Sequence, residues 1–166
     1  MTSAGAGWQD PARREAYAEV DALADWSEWM TFDVARHGAP REPGVYLLRE
    51  PLSQTIRYAG MAGERAGGGR PQGLRGRLAG YGAGSGAVSG FGEAALDQAL
   101  ADPAWLEAQL MSLREHGAKK AKEWAADAVD RLGLECCWAV CADRDDARYL
   151  QNRVVNLIRV HGLWNS

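Results

Sequence analysis

Gly44-Val45-Tyr46-Leu47-Leu48-Arg49-Glu50 and, after a break at Pro51 and Ser53, Thr55-Ile56-Arg57-Tyr58-Ala59-Gly60 are the two runs that decide the fold. Both are short, rich in β-branched and aromatic residues, and bounded by proline, glycine and serine, which predicts two strands joined as a hairpin. Eleven residues separate Tyr46 from Tyr58. In an antiparallel hairpin of that length both phenols lie on one face, near the same edge.

Upstream, Asp10-Pro11 reads as an N-cap followed by proline in the first turn, and Tyr17, Val20, Leu23 and Ala24 recur at helical spacing, predicting a helix to about Met30. Downstream, Gly60 to Gly73 is glycine-rich with no apolar period and reads as a loop. Gly73 to Tyr81, with Leu74 and Leu78 four apart, predicts a short helix. A second glycine-rich stretch leads into a helical insertion: Glu93 to Ala101, a helix capped by Asp102-Pro103 that runs to Gly117, and Lys119 to Leu132 ending at Gly133. Leu134 to Ala142 is apolar on both faces, as in a central strand covered on both sides. A last helix runs from near Asp145 to before Gly162, with Ala147, Leu150, Val154, Leu157 and Ile158 as its inner stripe. The expected fold is α/β of the α+β kind: an antiparallel sheet of about three strands flanked by helices. Residues 1–40 would form a helical extension, and 41–166 the main domain with an insertion at about 83–133.

At 166 residues, 46% of them apolar and 25% charged, the chain has the composition of an ordinary globular protein. A chain of this length buries roughly 70% of its unfolded surface. No stretch approaches the ~20 apolar residues of a membrane span, and the first residues lack a signal peptide's basic start and apolar run, so no membrane partner and a cytoplasmic location are expected. Cys136, Cys137 and Cys141 lie in an apolar strand-like run and read as packing thiols. His37, His116 and His161 make no metal-ligand spacing.

The net charge of −3 argues against nucleic acid, because phosphate contacts need Lys and Arg. The distribution argues otherwise. Arg57, Arg65, Arg70, Arg75 and Arg77 fall within one glycine-interleaved segment opposed by Glu64, and Lys119, Lys120 and Lys122 form a second basic group. Seen singly, Tyr46 and Tyr58 would be core aromatics, Arg77 a solvated helix arginine and Gln151 a surface glutamine. Their order along the chain gives them a joint meaning.

Gly44-Val45-Tyr46 opening one strand, Tyr58-Ala59-Gly60 closing the next, Arg77 in Leu-Arg-Gly-Arg-Leu on the following helix, Gln151 in Leu-Gln-Asn-Arg-Val-Val on the last helix and Leu163-Trp164-Asn165 at the end together resemble the GIY-YIG nuclease family. The likeness spans about Gly44 to Asn165. It implies a divalent-metal-dependent DNA endonuclease of a restriction or defence kind, acting on double-stranded DNA. Tyr46 or Tyr58 would assist the attacking water, Arg77 would meet the scissile phosphate with its planar fork, and Asn165 would steady the local backbone or a ligand water. Arg57, Arg65, Arg70, Arg75, Lys119, Lys120 and Lys122 would contact the DNA backbone.

The family carries glutamate where this chain carries Gln151. A carboxylate there would hold Mg²⁺ or Mn²⁺, and glutamine keeps the shape but not the charge. Loss of one charge-stabilising group costs about 10²- to 10³-fold in rate at such sites, so the resemblance implies a chain that binds but hardly cuts, unless Glu64 or Glu93 substitutes. The alternative is a non-catalytic nucleic-acid-binding module on a decayed nuclease fold. A nuclease cutting both strands of a symmetric site is often a dimer, but no stretch of the sequence declares an interface.

Overall fold

The computed structural model describes residues 10–64, 72–87 and 90–165. Along the chain run α1 (Pro11–Asp21), β1 (Met30–Thr31), α2 (Phe32–Gly38), β2 (Gly44–Arg49), β3 (Ile56–Ala62), α3 (Gly73–Gly82), α4 (Gly90–Leu100), α5 (Pro103–His116), α6 (Ala121–Leu132), β4 (Glu135–Val140) and α7 (Arg144–Ile158). The four strands form one antiparallel sheet in the order β1-β4-β2-β3. The α+β class is the one expected. The chain divides into two compact units: one takes the chain up to Leu78 and from Gly133 onward, and the other is Ala79–Leu132.

In the first unit the hairpin forms as its sequence demands, with Tyr46 opposite Gly60 and Leu48 opposite Tyr58. Side chains alternate across a strand, so Gly44, Tyr46, Leu48, Tyr58 and Gly60 share one face while Val45, Leu47 and Ala59 share the other. The second face packs with Cys137 against Ala16 and Val20 of α1 and Ala147, Val154 and Ile158 of α7. The first face receives α3, whose Leu74 lies where a side chain on Gly44 would be. β4 is central, between β1 and β2, and both Cys136 and Cys137 are buried on its opposite faces.

Two expectations need correction. The first helix stops at Asp21 rather than about Met30. The Val20 carbonyl at the helix end accepts both the Leu23 N–H at 3.0 Å and the indole Nε1–H of Trp26 at 2.9 Å. Leu23, Trp26 and Trp29 still pack on the core, but from a non-helical segment tied to β4 through Ser27, whose N–H donates to the Trp138 carbonyl at 2.8 Å. The apolar spacing was that of a buried segment, not of a longer helix. The sheet also gains a fourth strand, β1, of only two residues, which is too short to leave a period in the sequence.

α7 starts where the Asp143 carboxylate accepts the Asp146 N–H at 2.9 Å, and ends through a 3-10 turn at Gly162, whose φ of 88° is left-handed. In the second unit α4 packs on α6. Ala95 and Ala99 on one helix and Ala125 and Ala128 on the other are buried, which lets the two backbones approach closely. Trp105 and Trp124 meet edge to face with centroids 5.7 Å apart. Asp102 caps α5 by accepting from Ala104 N at 3.0 Å, and its other oxygen pairs with Arg131.

Candidate active site around the Ala59 peptide

β3 is an edge strand, and the outward N–H and C=O of an edge need partners. They find them in the last residues of the chain. Trp164 N–H donates to the Arg57 carbonyl at 2.6 Å. The Asn165 side chain then grips one peptide twice: its Oδ1 accepts from Ala59 N at 3.0 Å and its Nδ2 donates to the Ala59 carbonyl at 2.7 Å. Gln151, half-buried on α7, donates from Nε2 to that same carbonyl at 3.1 Å. Residues 92 and 106 positions from Ala59 in the chain thus converge on it.

On the tyrosine face, Tyr46 and Tyr58 stack with centroids 6.3 Å apart and ring planes 22° from parallel. The Tyr46 ring crosses Gly60, where a methyl group would overlap its ring and hydroxyl. This is why the third residue of Tyr-Ala-Gly has no side chain. Tyr46 is 1% exposed and Tyr58 8%.

Arg77 lies on α3, which is fixed at its start by close contact with the segment before β2. Leu74 N–H donates to the Glu42 carbonyl at 3.0 Å and Arg75 N–H to the Pro40 carbonyl at 2.9 Å. Gly73 allows this approach: its φ is 49°, and any side chain there would strike the Arg41 and Glu42 carbonyls. Arg77 itself is exposed.

The other basic residues divide. Arg57 is engaged internally: its Nε donates to Glu50 at 2.9 Å, its Nη1 to the Gly162 carbonyl at 3.1 Å, and it lies 5.8 Å from the Trp164 ring centroid. It fastens the C-terminal segment to the hairpin. Burial works against ionisation of Glu50, but hydrogen bonds from Arg57 and Ser53 outweigh it and hold the carboxyl below its ordinary value. Arg75 donates from Nε to the Ala39 carbonyl at 2.7 Å. Arg65 and Arg70 lie outside the described residues. Lys119, Lys120 and Lys122 belong to the other unit. Lys119 pairs with Asp127 and Gln109 and lies over Trp124, whereas Lys120 and Lys122 are exposed.

Four of the five motif residues, Tyr46, Tyr58, Gln151 and Asn165, therefore gather around Tyr58-Ala59-Gly60, and the fifth, Arg77, is exposed on α3, whose Leu74 packs beside Gly44. A cleft of about 660 Å³ lies elsewhere, against α1, lined by Arg13, Tyr17, Trp29, Arg49, Gln54 and Ile56 among others, and includes none of the five. A second cleft of about 620 Å³, lined by Glu19, Ala22, Leu23, Arg153, Asn156 and Leu157, includes none of the five either. The convergent polar contacts point to Ala59. Arg144, which belongs to none of the motifs, has its stem across Gly63 just past β3, where a Cβ would come within 2.7 Å of Arg144 Cγ.

As the chain stands, position 151 does not fit a hard divalent ion. Its amide is neutral, its N–H₂ faces the Ala59 carbonyl, and among the described residues no group of three His, Cys, Asp or Glu is placed to hold a metal. Burial raises the thiols of Cys136, Cys137 and Cys141 above their ordinary value, so they do not offer thiolate ligands. No helix among the described residues is long and apolar enough to cross a membrane.

The fold and its site define a small α+β protein built on an antiparallel sheet with a polar cluster at its edge strand. No family model matches the chain, and neither a curated protein nor a solved structure matches it.

Proposed function

We propose that the chain is a double-stranded-DNA-binding domain of the GIY-YIG nuclease type, located in the cytoplasm, whose glutamate form cuts phosphodiesters and whose present glutamine form binds but hardly cuts. One observation carries this reading: Gln151 and Asn165, far apart in sequence, meet on the Ala59 peptide between Tyr58 and Gly60, with the Tyr46 ring over Gly60. Residues that share a motif order and also share a place act together more readily than residues that share either alone.

Within this reading each residue has a task set by its own chemistry. Arg77 offers an exposed planar fork to two oxygens of one phosphate. Tyr58, beside the gripped peptide, orients the attacking water by hydrogen bond. Asn165 holds the Ala59 peptide, and with it the flanking Tyr58 and Gly60, in place. A carboxylate at 151 would add the negative charge that Mg²⁺ or Mn²⁺ requires, and the ion would supply charge neutralisation at the phosphate.

A specific observation favours the second reading, a binding module on a decayed nuclease fold. The Gln151 amide makes a bond to the Ala59 carbonyl that a carboxylate cannot make, and both tyrosines are buried. Supercoiled plasmid incubated with the chain and with Gln151→Glu, in Mg²⁺, Mn²⁺ or EDTA, separates the two. Nicking by the glutamate form alone, and only with metal, supports the nuclease reading. Binding without nicking by either form assigns the module.

A further inference from the structure

Of the basic residues between 57 and 77, Arg57 and Arg75 are engaged with the protein's own acceptors, while Arg77 is exposed. A separate row of exposed donors lies on α7. Residues four apart on a helix form one ridge, and Arg144, Arg148, Asn152 and Asn156 follow that spacing and are all exposed. Every one of them presents hydrogen-bond donors. From Ala147 to Asn165 the sequence contains no Asp or Glu, in a chain where acids outnumber bases by 22 to 19. Asp145 and Asp146 on α7 and Glu64, next after Gly63, are the acids nearest Arg144 and Arg148, Glu19 of α1 lines a cleft with Asn156 at the other end, and Asp143 is occupied in capping the helix.

We propose that this ridge of α7 is the surface that receives the phosphate backbone of duplex DNA, with Arg144 and Arg148 as the charged contacts and Asn152 and Asn156 as neutral donors. The inference rests on the DNA-binding reading above and assigns that partner a place. Arg144 and Arg148 are separated by about 6 Å along the helix axis, and the four-residue ridge by about 18 Å, at 1.5 Å per residue. Each strand of a duplex presents a phosphate about every 3.4 Å along its axis, so each arginine reaches a phosphate of its own. Two features tie the ridge to the candidate site. The Arg144 stem lies across Gly63, just past the strand that holds Ala59, and Gln151 follows Arg148 by one turn with its amide on the Ala59 carbonyl.

The test is the binding of a fluorescein-labelled 20-base-pair duplex, followed by anisotropy across a NaCl series. It compares the full chain with Arg144→Gln/Arg148→Gln, Arg148→Lys, Asn152→Ala/Asn156→Ala and, as a control on α1, Arg14→Gln. Glutamine keeps the Arg144 stem over Gly63, and circular dichroism checks that each variant folds. Each arginine–phosphate contact contributes about 0.9 to the slope of log K against log salt. The double arginine variant should lose about 1.8 of that slope and at least tenfold in affinity. Arg148→Lys should keep the slope, the asparagine pair should weaken binding at unchanged slope, and Arg14→Gln should match the parent. If the parent binds and the double arginine variant binds with the same slope and affinity, the ridge is overturned while the DNA-binding reading stands. If the parent itself shows no binding, or binding that is flat in salt, both fall together.

Discussion

Replacing Gln151 by glutamate exchanges the N–H₂ that faces the Ala59 carbonyl, 3.1 Å away, for an oxygen. In the unchanged rotamer two acceptors then face each other with no proton between them. A lost neutral hydrogen bond costs about 0.5–1.5 kcal/mol net, and the new oxygen contact adds to that in a half-buried setting. The Asn165 bond to the same carbonyl at 2.7 Å survives, so the carbonyl is not orphaned and the sum stays near about 2 kcal/mol. For a domain of this size that is about 4–8 °C in Tm. A divalent ion reverses the sign for this variant alone, because it prefers the carboxylate. At a hundredfold excess over its Kd it returns about 2.7 kcal/mol. Thermal melts of the parent and Gln151→Glu, each in EDTA and in a MgCl₂ series, read this directly. The expected result is a destabilised variant in EDTA whose Tm rises with magnesium while the parent's stays flat. A variant as stable as the parent in EDTA, or magnesium shifts equal in both, would refute the reasoning about the Ala59 carbonyl.

Gly60→Ala puts a methyl group into the Tyr46 ring; overpacking of this kind costs about 1–3 kcal/mol, and denaturant melts should show it, whereas a change within about 0.5 kcal/mol would mean that the ring moves freely. Glu50 ionises more readily in the folded chain than in the unfolded one, so its contribution is present above its ordinary value of 4.5 and lost as pH falls through its lower folded value. Trp164 fluorescence should accordingly change as acid frees Arg57 from Glu50, and Glu50→Gln should show that change already at neutral pH. Ellman's reagent at pH 8 should leave Cys136 and Cys137 untouched in the native protein, since burial raises both thiols, and should titrate all three cysteines in guanidinium. Prompt reaction of three thiols in the native state would contradict the packing of β4. Tyr17→Phe removes the phenol that accepts the Ile56 N–H at 2.8 Å, and chemical denaturation should register a loss of about 1–2 kcal/mol.

The hairpin, the central β4 strand and the stripe of α7 were legible because each has its own period and its own punctuation: Pro51 in the turn, apolar residues on both faces of Cys136-Cys137, and Ala147, Val154 and Ile158 at helical spacing. Leu23 and Ala24 misled because burial without a helix uses the same apolar residues; the Trp26 indole bond to the last turn of α1 leaves no local pattern. At the site, motif order pointed to Tyr46, Tyr58, Gln151 and Asn165. It did not show that Asn165 and Gln151 share one carbonyl, because that depends on a C-terminal segment lying along an edge strand. The basic residues were the least legible part. Charge density in the sequence marks Arg57 and Arg75 as readily as Arg148, and only the fold separates a guanidinium bonded to the protein's own carbonyls from one left facing solvent. The four-residue spacing from Arg144 and the acid-free run after Asp146 were the available signal.

The deciding measurement is the single-turnover nicking rate of supercoiled plasmid in Mg²⁺ by the parent, Gln151→Glu and Gln151→Glu/Arg77→Ala. The glutamate form should cut at least about 10²-fold faster than the parent, EDTA should abolish the difference, and removing Arg77 should take back about 10²- to 10³-fold. Equal rates for the parent and the glutamate form, or nicking indifferent to Arg77 and to EDTA, would contradict the nuclease reading.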